Sequence, residues 1–276
     1  MSSLTSTIQQ SRRRLNPLAF SPAMWLDSSD SSTLFDATVG GNLVAGDGLV
    51  ARWADKSGNL NHATQSVIDR RPTRKISHVN SRDAVLFSNI GHPNTDKFMD
   101  LPVSISNSMN QPHTFVAVAK STGPTPNQTS ESLQVIMARQ GYHRGLILKA
   151  SAINSNVTSV EGNAWIGSTS TVQATASIST DNNVVVAGYR LLSISPIQTD
   201  LMTRGVIYKS STASGTVLNT GTARIGRATS TNNPSNNYNW PFMGPICEML
   251  YFTRSLTDNE LSLLLSYLSF KWNSYA

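Results

Sequence analysis

The chain predicts an all-β fold, an antiparallel β-sandwich closed by one C-terminal helix. Three observations carry this expectation. Short runs rich in Val, Ile, Leu and Phe recur along the chain, and clusters of Ser, Thr, Asn, Gly and Pro separate them. A sustained helical period occurs at one place, residues 255–273. Runs of strand character without helices between them set a parallel α/β arrangement aside. The length, 276 residues, suits one sandwich domain, and 39% hydrophobic residues against 14% charged supply a core.

The first twenty residues, "MSSLTSTIQQSRRRLNPLAF", read as an extended arm. They hold few apolar residues and no sustained period, and Pro17 discourages a helix through that point. No acidic residue precedes Asp27, so Arg12, Arg13 and Arg14 supply half of the formal net charge of +6. A local basic arm of this kind docks on an acidic protein groove or on nucleic acid. Without interleaved aromatic residues, nucleic acid is not the expected partner.

From "SPAMWLD" onward the text is β-like: "GLVARW", "AVLFS", "TFVAVAK", "LQVIMAR", "GLILKA", "NVVVAGYRL", "GVIYKS", "ARIGRA" and "CEMLYFTR". In "TFVAVAK", Phe115, Ala117 and Ala119 face one way and Val116 and Val118 the other. Neither face is charged, which predicts a strand covered on both sides. The last element, "SLTDNELSLLLSYLSFKWN", opens with Thr257 three residues before Glu260, the spacing of a capping box. Leu261, Leu264, Leu265, Leu268 and Trp272 then fall on one face. The helix should lie on the sandwich with that face down. No repeat of fixed period is present.

The lone cysteine, Cys247, allows no intrachain disulfide and reads as a small buried hydrophobe. No apolar run reaches the length of a membrane span, and the first residues lack the apolar stretch of a signal peptide. Neither a membrane partner nor export by the general pathway is expected.

Three segments, taken in order, resemble a known family. They are "SPAMWLDSSDSSTLF", then "WADKSGNLNHATQ" followed by "RRPT" and "AVLF", then "GPICEMLYFTRSLTDNELSLLLSYLSFKW". Together they resemble the concanavalin A-like, laminin-G-like jelly-roll domains of bacterial surface proteins and bacteriophage structural proteins. The resemblance covers residues 21–273; its ends are specific, and residues 120–240 match as generic β sequence. A short arginine-rich segment running into "LNPLAFSPAMWLD" is similar to phage virion proteins bearing this domain. The resemblance implies two parts, a docking arm at 1–20 and a jelly roll at 21–276.

The stretch "RWADKSGNLNHATQ", residues 52–65, concentrates polar groups and admits three readings. As a metal loop it is poor: calcium needs six to eight oxygens, and Asp55 is its one carboxylate, with Asp47 in the preceding turn. Zinc would need more ligands than His62 at ligand spacing. No cofactor is expected, and calcium is the one metal that the loop oxygens could engage. As an acid/base site it lacks a pair, because glycoside hydrolysis uses two carboxyls about 5–10 Å apart. Of the four glutamates, Glu131, Glu161 and Glu248 have no acidic neighbour two or four residues away, and Glu260 with Asp258 belongs to the helix start. The third reading is a structural turn: Ser57-Gly58-Asn59 is turn chemistry, Asp55 accepts loop N–H groups, Trp53 is buried, and His62 is a hydrogen-bonded loop residue.

For binding, "TNNPSNNYNWPF" is the candidate: Asn236 and Asn239 can bond sugar hydroxyls, and Tyr238 and Trp240 can offer flat faces to a sugar ring. The alternative is that Trp240 and Phe242 enter the core. The basic cluster "DRRPTRK", residues 69–75, reads as a solvated connection. The expected function is therefore non-enzymatic: a bacteriophage virion structural protein, as a capsid decoration, head-fibre or tail-appendage subunit. Residues Arg12, Arg13, Arg14, Leu15, Leu18 and Phe20 would dock on other virion proteins, and the body would form a homo-oligomer, a trimer by preference, on the particle exterior after synthesis in the host cytoplasm. It would touch host surface glycans. A lectin-like adhesion module of a bacterial surface protein comes second, and a polysaccharide-cleaving enzyme third.

Overall fold

The computed structural model describes residues 15–88, 96–123, 131–139, 145–151, 157–166, 170–180, 184–210, 212–214, 221–228 and 241–274. Seventeen strands are described: β1 Met24–Asp27, β2 Leu34–Phe35, β3 Arg52–Trp53, β4 Ala63–Thr64, β5 Thr73–Val79, β6 Arg82–Phe87, β7 Met99–Asp100, β8 His113–Ala119, β9 Glu131–Arg139, β10 Gly145–Ser151, β11 Val157–Ile166, β12 Ser170–Thr180, β13 Val185–Ile194, β14 Ile197–Thr203, β15 Val206–Lys209, β16 Ala223–Ile225 and β17 Gly244–Phe252. They form two antiparallel sheets. The first runs β15-β14-β13-β8-β17-β6-β5, with β1 also on β17; the second runs β12-β11-β10-β9-β16-β7-β4-β3-β2. This is the expected all-β sandwich.

Strand alternation sorts the apolar residues into two layers. Met24, Leu26, Phe115, Ala117, Tyr189, Met249 and Tyr251 of the first sheet meet Trp53, Met99, Met137, Leu146, Leu148 and Val160 of the second. The other face of the first sheet carries Trp25, Val116, Val118, Val186, Leu250 and Phe252, and the C-terminal helix, Asp258–Lys271, packs on it through Leu261, Leu264, Leu265 and Leu268, with Trp272 just beyond. β8 is therefore covered on both sides, as its uncharged faces predict. The capping box forms: Glu260 N–H donates to Thr257 Oγ1 at 3.2 Å, and Thr257 N–H to Glu260 Oε2 at 2.8 Å. Gly188 of β13 lets the helix settle, since a Cβ there would stand 2.6 Å from Leu261 Cδ1.

β17 is the hub of the first sheet. It pairs with β8 along one side and with β1 and β6 in succession along the other, and all nine of its residues are buried. Its register against β8 shifts between Ile246 and Glu248. The extra residue, Cys247, is a β-bulge that puts Glu248 on the helix side, while Ile246, two residues earlier, points into the inter-sheet core. Ser28 closes the bulge, its N–H and Oγ both donating to Cys247 O. Cys247 is fully buried, as expected, and burial pushes its thiol well up.

Candidate functional site

Residues 52–65 connect β3 to β4 and fasten the second sheet to β1. Both oxygens of Asp55 are filled. Oδ1 accepts from Trp25 N–H and Ser57 N–H, each at 2.8 Å, and Oδ2 from Ser57 Oγ at 2.7 Å and Asn61 N–H at 3.0 Å. Four donors use the four sites an ionised carboxylate offers. Asp55 N–H donates to His62 Nδ1 at 3.0 Å, which leaves the His62 proton on Nε2. Asn59 and Asn61 reach across to Pro22 O and Ala23 O. Trp53 is fully buried. The stretch is the structural turn among its three readings.

The carboxylates outside this turn tell a similar story, with one correction. Glu248, which stands alone in the sequence, faces Asp27 across β1 and β17. Glu248 is fully buried; Trp25 Nε1 donates to one of its oxygens at 2.8 Å, and Trp272 Nε1 and Lys271 Nζ to the other, each at 2.7 Å. Lys271 Nζ also lies 2.8 Å from Asp27, and Lys56 Nζ bridges Asp27 and Asp30. Burial and the neighbouring Asp27 charge push the Glu248 carboxyl up, against Lys271 and Trp272. Burial acts the same way on Asp27, but Lys271, Ser29 and Lys56 outweigh it and hold Asp27 low. The pair is sealed beneath the end of the helix, so it works as a strut. At the other end of the helix, Arg190 is 3% exposed and binds both oxygens of Asp200, at 2.7 and 2.5 Å, together with Asp258 and Leu256 O. Glu260 lies in the capping box and Glu161 is buried on the outer face of the second sheet, while the side chain of Glu131 is outside the described residues.

The basic stretch 69–75 departs from the solvated connection expected of it. Arg71 donates to Gln65 O, Ser66 O and Asp36 O, and Arg74 forks onto Asp83 at 2.9 and 2.7 Å. Arg70 stacks over Phe98, where Arg224 and Arg227 join it, their guanidinium carbons 5.6, 4.7 and 5.4 Å from the ring centroid. Sequence reasoning missed this cluster, because 157 residues separate Arg70 from Arg227. A groove of about 210 Å³ lies between the C-terminal helix and the β14–β15 hairpin, lined by Val186, Met202, Arg204, Leu265, Ser266 and Ser269.

Of the arm residues, Leu15 and Phe20 pack on the chain's own helix-side layer and Leu18 is exposed, while Arg12, Arg13 and Arg14 lie outside the described residues. Asn236, Tyr238, Asn239 and Trp240 also lie outside them; Phe242 is buried in the inter-sheet core. Among the described residues, no group of three or more His, Cys, Asp or Glu could hold a metal ion, and no helix is long and apolar enough to cross a membrane.

No family model and no curated protein matches the chain. Solved structures do. The receptor-binding domain of botulinum neurotoxin C/D mosaic serotype superposes with a TM-score of 0.55 at 13% identity, over 89% of this chain and 51% of that one. The receptor-binding domain of botulinum neurotoxin D gives 0.55 at 12% identity, over 90% and 53%, and the botulinum neurotoxin serotype D binding domain 0.54 at 12%, over 89% and 50%. The chain thus spans about half the length of the structures it matches. At this identity the likeness is one of fold.

Proposed function

We propose that this chain is a non-enzymatic structural subunit of a bacteriophage particle, built on a concanavalin A-like jelly roll and carried on the particle exterior as a capsid decoration, head-fibre or tail-appendage protein. Residues 1–20 are its docking segment and residues 21–276 its single domain. The observation that carries the reading is the use made of the body's ionisable groups: Asp27, Asp55, Arg190 and Glu248 all serve as buried or half-buried braces. The order of motifs that resembles phage virion proteins supports the particle assignment. Leu15 and Phe20 pack on the body, which supports reading them as the anchor of the segment, with the three arginines before them in sequence as its proposed contacts with a neighbouring subunit. The subunit forms a homo-oligomer, with three-fold symmetry preferred, and its second sheet contacts host surface glycans.

Removing residues 1–14 while keeping the Leu15 and Phe20 anchors tests this. The truncated subunit should unfold at the same temperature as the full chain and fail to incorporate into particles. Normal incorporation would end the proposal. A lectin-like adhesion module of a bacterial surface protein is the second reading. It is favoured by the edge strand β12 of the second sheet, where Thr175 and Ser177 present exposed hydroxyls on the outer face. Recovery of the chain from purified virions separates the two.

A further inference from the structure

We infer that Arg70, Arg224 and Arg227, gathered over Phe98, form a binding site for the carboxylate of an acidic sugar. The inference rests on the glycan-contacting part of the reading above and adds the class of sugar and its place on the molecule.

The site is built on rigid elements. Phe98 and Asp100 point out of the second sheet, since Met99 between them points into the core. Phe98 N–H donates to Arg70 O at 3.1 Å and Phe98 O accepts from Gln65 Nε2 at 3.0 Å, which locks the ring to the Arg70 turn. Arg224 sits opposite Asp100 in the β16–β7 pairing, its Nε 2.7 Å from Asp100 Oδ1. Gly226 then turns the chain at φ +83°, where a Cβ would meet Phe87 Cδ1 at 2.3 Å. Its N–H donates to Ile136 O and its carbonyl accepts from Phe242 N–H, so Arg227 leaves a backbone fixed on both sides.

Among the described residues the charges at this site are unbalanced: three guanidinium groups share one ring, and the described carboxylates that face them are Asp96 and Asp100. Arg227 is 8% exposed; its Nε has no hydrogen-bond acceptor and lies 3.7 Å from Asp96 Oδ2. Among the described residues, the Arg70 side chain has neither a hydrogen bond nor an ion pair. Burial is the main cause that lowers Arg227 to about 10, against the pull of Asp96, and the Arg224 and Arg70 charges add a smaller like-charge crowding. A planar oxyanion relieves that crowding, and guanidinium forks match a carboxylate in two places at once.

The surroundings choose among carriers of such a group. Phe98 is 2% exposed, so no base can stack on it, which argues against single-stranded nucleic acid. The outer-face row that holds Asp100 and Arg224 continues into uncharged residues, Thr64 on one side and Ala138, Gly145, Asn163 and Gln173 on the other. Of that row Ala138, Gly145 and Asn163 are buried, so Thr64 and Gln173, both half-buried, are the hydroxyl and amide groups it offers beside the cationic cluster to a sugar chain that carries carboxylates among neutral hydroxyls.

The test is calorimetric titration of the full chain in solution with tetragalacturonate, its fully methyl-esterified form and a tetra-aspartate peptide. The acid should bind, the ester at least tenfold more weakly, and the double substitution Arg70→Gln with Arg224→Gln should cost the acid tenfold or more. Arg70→Gln alone removes no hydrogen bond, so a reduced affinity with an unchanged thermal midpoint separates binding from folding. Equal binding of acid and ester, wild-type affinity in the double variant, or tetra-aspartate binding as tightly as the sugar acid would each overturn the inference. Because no particle is involved, failure here leaves the arm-docking result untouched.

Discussion

Asp55 shows how a residue with the look of a ligand becomes a brace. Its two oxygens accept from Trp25, Ser57 and Asn61, and all three partners lend backbone N–H groups that would otherwise be stranded. Hydrogen bonds to a charged group contribute roughly 1.5–3 kcal/mol each, with less where solvent reaches them, so Asp55→Ala should cost about 3 kcal/mol in urea unfolding, with or without a chelator. A chelator-dependent loss would return the metal reading to favour. His62 gives the same turn a pH dependence. Burial, then the Arg52 charge, hold its imidazole below the usual value against the pull of Asp55. As pH falls, the unfolded chain therefore takes up the proton first. Stability is complete above about 6.5 and declines below it as pH drops through the folded-state value. Histidine 78 is displaced in the same direction by burial and by Lys75 and Lys120. The urea midpoint should fall between pH 7.5 and 5.5, and His62→Gln should make that fall smaller.

At the scale of elements, the C-terminal helix joins an apolar seam to an ionic clasp at each end. The seam was legible in the sequence, because the leucine spacing and the capping box are local patterns. Leu268→Ala, in a fully buried position, should cost about 2–5 kcal/mol, and Thr257→Ala about 1 kcal/mol through the lost cap. The clasps were not legible. Asp27 and Glu248 lie 221 residues apart, and the Cys247 bulge that turns Glu248 toward the helix leaves no mark in an alternating pattern. Lys271→Met would leave two buried carboxylates facing each other, and breaking such a buried pair costs about 3–5 kcal/mol. Their folded-state proton affinities would then rise above the unfolded ones. The variant should regain stability as pH falls, so its deficit against the wild type should be larger at pH 8 than at pH 5. A deficit independent of pH would show that Lys271 acts through packing alone.

For the molecule as a whole, the sandwich and its covering helix could be read from the chain, while part of the second sheet could not. β11 and β12 escaped notice because their inward residues include the small Gly162, Ala164, Ala174 and Ala176, and their outward ones are Glu161, Asn163, Gln173 and Thr175. Small inward side chains beneath Tyr189 make a thin layer that periodicity registers weakly: a Cβ on Gly162 would stand 2.4 Å from Tyr189 Cδ2. The arginine cluster was equally hidden, its members being drawn from a turn, from β16 and from the residues just after it.

The position of β17 carries one more implication, for how the protein is made. The strand that β1, β6 and β8 all pair with lies after every one of them in the sequence, with the helix that roofs it later still. A polypeptide still emerging from the ribosome holds those three strands with nothing between them, so the first sheet must close late and through distant partners. A fragment ending at residue 243 should be protease-sensitive throughout, and a separately made 244–276 peptide should restore protection.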